Sequence, residues 1–147
     1  MAKADARTKR GLKILKRVHG QAGANVLKKL AETAPALSEF VIAFAFGDVY
    51  ARPQLSLRER QIATVASLAA LGHALPQLKS HVNGALNLGI TKTEIVEILM
   101  QMAVYAGFPA SINAIMAAAE VFAARDEADR GSKRARPSPR STRRTRK

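Results

Sequence analysis

Hydrophobic residues recur along this chain at intervals of three and four, which is the spacing of one face of an α-helix. No segment alternates between apolar and polar residues for long enough to predict a strand. The pattern therefore predicts an all-α protein, a single domain of six to seven helices joined by short loops. The predicted helices cover about residues 8–18, 22–31, 35–46, 57–72, 76–89, 92–105 and 110–124.

Two of these helices begin with a sequence that caps the helix. Ser56 is followed three residues later by Glu59, and Thr91 by Glu94. In such a capping box the hydroxyl and the carboxylate each bond a free backbone N–H of the first turn. Both glutamates are thus explained by helix capping before any chemistry is considered.

The helix predicted over residues 35–46 differs from the others because it is apolar nearly all round. It contains Phe40, Phe44 and Phe46 along with several aliphatic residues. A helix of this composition is buried, either in the core or in a subunit interface.

Charge divides the chain of 147 residues into three parts. The net charge of +13 combines +8 in residues 1–30, −4 in residues 31–129 and +9 in residues 130–147. We predict a flexible N-terminus at 1–9, a helical domain at 10–127 and a disordered basic tail at 128–147, which contains no large apolar residue. The tail is either a neutral, solvated extension or a non-specific contact for nucleic acid or another polyanion through residues 130–147.

The composition also excludes several classes of chemistry. The chain has no cysteine, so disulfides, thiolate nucleophiles and CxxC redox chemistry are excluded. No apolar run is long enough for a membrane span, and no signal peptide is recognisable, so we expect a cytoplasmic protein.

His81 is the residue that most invites a functional interpretation. It lies three residues after Leu78 and four before Ala85, on the apolar side of its predicted helix. A histidine there is either a structural group or an acid–base residue, since imidazole titrates near neutral pH. His19 and His73 show no metal-ligand spacing with His81, so we predict no metal site.

Several short stretches, taken together in order, resemble the carboxymuconolactone decarboxylase family. They are Gly47 to Pro53, Leu55-x4-Arg60, His81-x3-Ala85-x3-Gly89-x4-Glu94-Ile95-x-Glu97 and Tyr105-Ala-Gly-Phe-Pro109, with Arg10-Gly11-Leu12 and Val18-His19-Gly20 near the start. The resemblance covers about residues 10–122. It implies an alkylhydroperoxidase D-like helical fold that assembles into homo-oligomers, commonly trimers or hexamers.

The resemblance also implies an activity, because the name-giving members remove CO2 from a carboxylated muconolactone in aromatic catabolism without a cofactor. His81 would be the general acid–base residue. Arg60 would hold a carboxylate or the developing oxyanion, and Glu59 would act as a base or orient His81. Arg52, Tyr105 and Asn83 are the candidates for substrate binding. The structural alternatives are an exposed Arg60 or one paired with Glu94 or Glu97, a capping Glu59, and a Tyr105 that closes the core.

Two comparisons within the family limit this interpretation. A sister branch similar to alkylhydroperoxidase D uses a CxxC pair shortly before the histidine, but Ala74 and Gln77 stand at those positions, which disfavours a peroxidase-like activity. Strict decarboxylases often have Arg where this chain has Asn83 and a neutral residue where it has Glu59, and the family frequently has Trp where this chain has Tyr50. The alternative is therefore a non-catalytic oligomeric binding protein on the same scaffold.

Overall fold

The computed structural model describes residues 5–135, and this part of the chain contains helices and no strands. The all-α prediction is confirmed. In order, the elements are α1 (Ala6–Thr33), α2 (Pro35–Phe40), a π-helical segment (Val41–Val49), α3 (Leu57–Leu71), α4 (Leu75–Asn87), α5 (Lys92–Tyr105) and α6 (Phe108–Ala135). None of the helices in the described range is long and apolar enough to cross a membrane.

Helix α1 joins the two helices predicted over residues 8–18 and 22–31. The junction is a kink at Gly20, which has φ 62° and ψ −151°. This backbone conformation is strained for any residue with a Cβ atom, so glycine is required at the kink. His19, immediately before the kink, is buried with 6% of its surface exposed.

Both predicted capping boxes are confirmed. The Ser56 backbone nitrogen donates to Oε2 of Glu59 over 2.6 Å, and the Glu59 nitrogen donates to the Ser56 hydroxyl over 3.2 Å. The Thr91 and Glu94 pair makes the same two bonds over 2.8 and 3.1 Å. These contacts define where α3 and α5 begin.

The apolar helix predicted over residues 35–46 forms as α2 and continues as the π-helical segment. The Tyr50 N–H bonds the carbonyl of Ala45, five residues earlier, which is the spacing of a π-helix. Phe46 is buried, but Phe40 and Phe44 are 64% and 60% exposed. Within a single chain, therefore, only one side of this helix is buried in the core.

The last helix is longer than predicted. Helix α6 was expected over residues 110–124 and extends over Phe108–Ala135, so the first residues of the tail predicted at 128–147 are helical. No proline interrupts it before Pro137, and Lys92 of α5 pairs with Asp126. Helix α1 likewise begins at Ala6, inside the N-terminus predicted as flexible at 1–9, because Asp5 caps it. Residues 1–4 and 136–147 lie outside the described residues, so the tail prediction there stays a prediction.

The described residues form two hydrophobic clusters. Helices α3 to α6 form the larger cluster, with Val65, Leu78 and Leu99 among its fully buried residues. Helix α1 and the π-helical segment form the smaller one around Val18 and Phe46. Helix α4 packs against α1, α3 and α6, so it carries His81 to the junction of the two clusters.

Candidate functional site

A cleft of about 330 Å³ opens where α1, the π-helical segment and α4 meet. Most of its wall is apolar, and its polar side chains are His19, Gln77, Ser80 and His81. We name it the histidine cleft. No charged side chain of the described residues lines it. In that same range, no group of three His, Asp or Glu residues is placed to hold a metal ion.

His81 is held by the side-chain amide of Gln61. Nε2 of Gln61 lies 2.9 Å from Nδ1 of His81 and 2.6 Å from the backbone oxygen of His81. A carbonyl oxygen only accepts hydrogen bonds, so the amide must present its NH2 group to both atoms. Nδ1 is therefore an acceptor, and the neutral imidazole carries its hydrogen on Nε2. Nε2 is the ring nitrogen left for a ligand.

His81 and His19 form an edge-to-face pair. Their ring centroids are 4.6 Å apart and the ring planes make an angle of 88°. Burial first, and then the neighbouring His19, lower the pKa of His81 from 6.5 to about 4. Burial also lowers the pKa of His19, against the opposing effect of a hydrogen bond with Ser80. At neutral pH the cleft therefore presents two uncharged imidazoles.

Two residues of this arrangement, Gln61 and His19, were not among the residues predicted from the sequence. Gln61 is fully buried on the same face of α3 as Val65 and Ala69. A glutamine in register with buried apolar residues needs a partner, and this was the signal that could have identified it. Gly84 lies beside the pair: a Cβ atom there would be 3.1 Å from the Gln61 amide nitrogen and 3.3 Å from the His19 ring.

The predicted partners from the start of α3 do not line the histidine cleft. Arg60 lines neither this cleft nor a larger cleft between α1, α4 and α6. Its Nη2 donates to the Arg52 carbonyl over 3.0 Å. Arg52 is exposed and lines neither cleft. Glu59 is exposed, and its hydrogen bonds with Ser56 hold its pKa below the usual range. The arrangement of Arg60 and Glu59 beside His81 thus has no support in the geometry of a single chain.

Asn83 and Tyr105, the other predicted binding residues, have different surroundings. Asn83 accepts a hydrogen bond from Nε of Arg125 over 2.7 Å. Tyr105 is 76% exposed at the end of α5 and does not line the histidine cleft, so it does not close the core. Arg58, rather than Arg60, pairs with Glu94.

The fold and the cleft together define an all-helical domain whose candidate site is a pair of neutral histidines, the buried His19 and the partly buried His81. The pattern of the Carboxymuconolactone decarboxylase family matches residues 35–120. The chain is also 36% identical over 119 residues to the 4-carboxymuconolactone decarboxylase of Acinetobacter baylyi, a match that covers 80% of this chain and 88% of that protein. The chain belongs to the carboxymuconolactone decarboxylase family.

Two further relatives extend the comparison. The nitrosuccinic acid decarboxylase of Metarhizium robertsii is 32% identical over 107 residues, which are 72% of this chain and 74% of that protein. An uncharacterised 15.0 kDa protein of Paracoccus denitrificans is 35% identical over 102 residues, 69% of this chain and 74% of that protein. Two of the three relatives are named as decarboxylases, so decarboxylation is the chemistry these similarities support.

Proposed function

We propose that the protein is a cofactor-free decarboxylase acting on a small carboxylated lactone or a related acid, with His81 at the centre of its active site. The observation that carries this proposal is the bond from Gln61 to Nδ1 of His81, which leaves the Nε2 hydrogen for a ligand. An apolar cleft without charged side chains strengthens any hydrogen bond made there.

The substrates in the names of two relatives suggest what that hydrogen bond would do. Carboxymuconolactone has a lactone carbonyl and nitrosuccinic acid has a nitro group. In each case the C–C bond to the leaving carboxylate breaks, CO2 departs, and the electron pair moves onto an oxygen of that group. A proton then adds to carbon. A donor placed beside that oxygen stabilises the transition state more than the ground state, because the negative charge develops there.

The two histidines divide these tasks. His81 is suited to donate from Nε2 to the developing oxyanion, since its Nδ1 faces an amide donor and cannot also take a proton without losing that bond. His19 has no such restriction. A bound carboxylate would raise the pKa of a nearby imidazole, so His19 can carry the proton that the reaction consumes. This division refines the sequence-based expectation, which gave the whole acid–base role to His81.

We also propose that the protein works as a homo-oligomer. Six large apolar side chains on α5 and α6 are more than half exposed in the single chain: Met100, Val104, Tyr105, Phe108, Ile112 and Met116. Three of them, Phe108, Ile112 and Met116, recur every four residues along α6, as on one side of a helix, and Met100 and Val104 have the same spacing on α5. Exposed apolar surfaces of this kind mark interfaces, which gives Tyr105 a role between subunits instead of in the cleft.

The test of the activity is incubation of the purified chain with 4-carboxymuconolactone and, separately, with nitrosuccinate, while CO2 release is measured. We expect release from at least one of the two acids. No release from either contradicts the proposal and favours the non-catalytic binding protein. A parallel assay with hydrogen peroxide is expected to show no consumption, because the chain has no cysteine.

A further inference from the structure

A second cleft lies beside the histidine cleft, between α1, α4 and α6. Its volume is about 550 Å³, and its polar wall includes Lys79, Asn83, Glu120 and Arg125. We name it the arginine cleft. Four residues line both clefts: His19, Gly23, Val26 and Ser80. The two clefts are therefore neighbours that share the His19 ring as part of their walls.

The order of residues around α4 supports a path between the clefts. Successive residues of an α-helix are about 100° apart around its axis. Ser80 therefore lies between His81 and Asn83 in direction, and it is the α4 residue that lines both clefts. A ligand that contacts His81 can extend past Ser80 and His19 to the side of the helix that carries Asn83.

Arg125 is the cation at the far end of this path. Nε of Arg125 donates to Oδ1 of Asn83 over 2.7 Å, and Nη2 donates to the Asn83 backbone oxygen over 3.1 Å and to Oδ1 of Asn87. These acceptors hold the guanidinium in one orientation. None of them is charged, and no acceptor is recorded for Nη1 among the described residues.

The guanidinium of Arg125 therefore has no carboxylate partner in the described part of the chain. Lys79, the other cation of the cleft, is paired with Glu120 over 2.6 Å. Arg125 makes no salt bridge to any carboxylate within residues 5–135. Neutral acceptors fix the orientation of this guanidinium at the cleft wall. Its remaining N–H groups can therefore donate to a bound carboxylate.

We propose that Arg125 binds the carboxylate that the substrate keeps after CO2 has left, with the substrate lying across both clefts. This inference rests on the proposed function, which places the reacting end of the substrate at His81. It also supplies the cation that the histidine cleft lacks and that Arg60 does not provide. Nitrosuccinic acid, named for one relative, has two carboxyl groups and so keeps one.

The test is a binding experiment that does not depend on turnover. It compares trans,trans-muconate with sorbate, two six-carbon dienes that carry two carboxylates and one, by isothermal titration calorimetry on the full chain. We expect the wild type to bind muconate at least 10-fold more tightly than sorbate. Arg125→Gln is expected to weaken muconate binding about 10- to 100-fold and to leave sorbate binding unchanged. Arg125→Lys, which keeps the charge, should recover part of that loss.

Arg58→Gln is the matched control, because it removes one arginine charge at a residue that lines neither cleft. It should bind both ligands as the wild type does. The proposal is overturned if wild type does not prefer muconate, or if Arg125→Gln binds muconate as tightly as wild type. An equal loss for both ligands also overturns it, since Arg125 would then only tie α4 to α6. Muconate binding that depends on Arg125, without CO2 release from either acid, sustains this inference while the proposed function fails.

Discussion

The lowered pKa of His81 predicts that the protein loses stability as the pH falls from 7 to 5. In the unfolded chain His81 titrates near its ordinary value of 6.5, whereas in the folded chain its pKa is about 4. Between these pH values the unfolded state binds a proton that the folded state does not. The contribution of neutral His81 to the unfolding free energy is therefore fully present above pH 6.5 and is lost as the pH falls towards 4. The full effect is about 3 kcal/mol, of which about 2 kcal/mol is lost between pH 7 and pH 5.

The assay compares wild type with His81→Gln, in which the side-chain oxygen of the new glutamine can still accept the Gln61 N–H. Urea unfolding is followed by circular dichroism at pH 7 and pH 5, at one protein concentration. The fall in unfolding free energy between the two pH values should be about 2 kcal/mol smaller in His81→Gln than in wild type. We call the fall in unfolding free energy from pH 7 to pH 5 the pH slope. Because His19 and the carboxylates contribute to the pH slope of both proteins, their contributions cancel in the difference.

His73→Gln is the control for this measurement. The His73 side chain is exposed, so its replacement is expected to preserve the wild-type slope. Equal slopes in wild type and His81→Gln would refute the reasoning, because they would mean that folding does not disfavour the charged form of His81. A steeper slope in the variant would do the same.

Three other changes test separate parts of the structure. Gln61→Met leaves Nδ1 and the backbone oxygen of His81 without their donor, and should lower the unfolding free energy by about 1–3 kcal/mol in urea titrations; an unchanged value would mean that water replaces the amide. Phe108→Asp should reduce the mass measured by light scattering after size exclusion, and an unchanged mass would exclude the α5–α6 surface from the interface. Removal of residues 136–147 should leave the melting temperature unchanged and abolish any retention on DNA at low salt. Retention of the truncated chain would mean that other residues bind the DNA.

The helical architecture could be predicted because its signals are local. The capping boxes at Ser56 and Thr91 contain both partners within four residues, and they formed as expected. The π-helical segment could not be predicted, because its sequence is equally compatible with an ordinary α-helix. The end of α6 was missed because residues 125–135 contain charged helix formers without the apolar pattern that marks a buried helix.

The site was predictable only in part, for a geometric reason. Arg60 and Gln61 are adjacent, and one position along a helix rotates a side chain by about 100°. The packing of α3 against α4 decides which of the two reaches His81, and the structure places Gln61 there. Likewise, Arg125 is 42 residues from Asn83, and no local pattern relates them. His81 itself was found through its family resemblance and its position on an apolar face, while its role stays a proposal.

The measurement that most directly tests the account is the rate of CO2 release by wild type, His81→Ala and His73→Ala, at pH 7 and saturating 4-carboxymuconolactone or nitrosuccinate. Loss of the Nε2 donor should lower kcat about 100-fold or more in His81→Ala, whereas His73→Ala should keep the wild-type rate. Equal kcat values in wild type and His81→Ala would contradict the central claim that the His81 N–H stabilises the charge that forms as CO2 leaves.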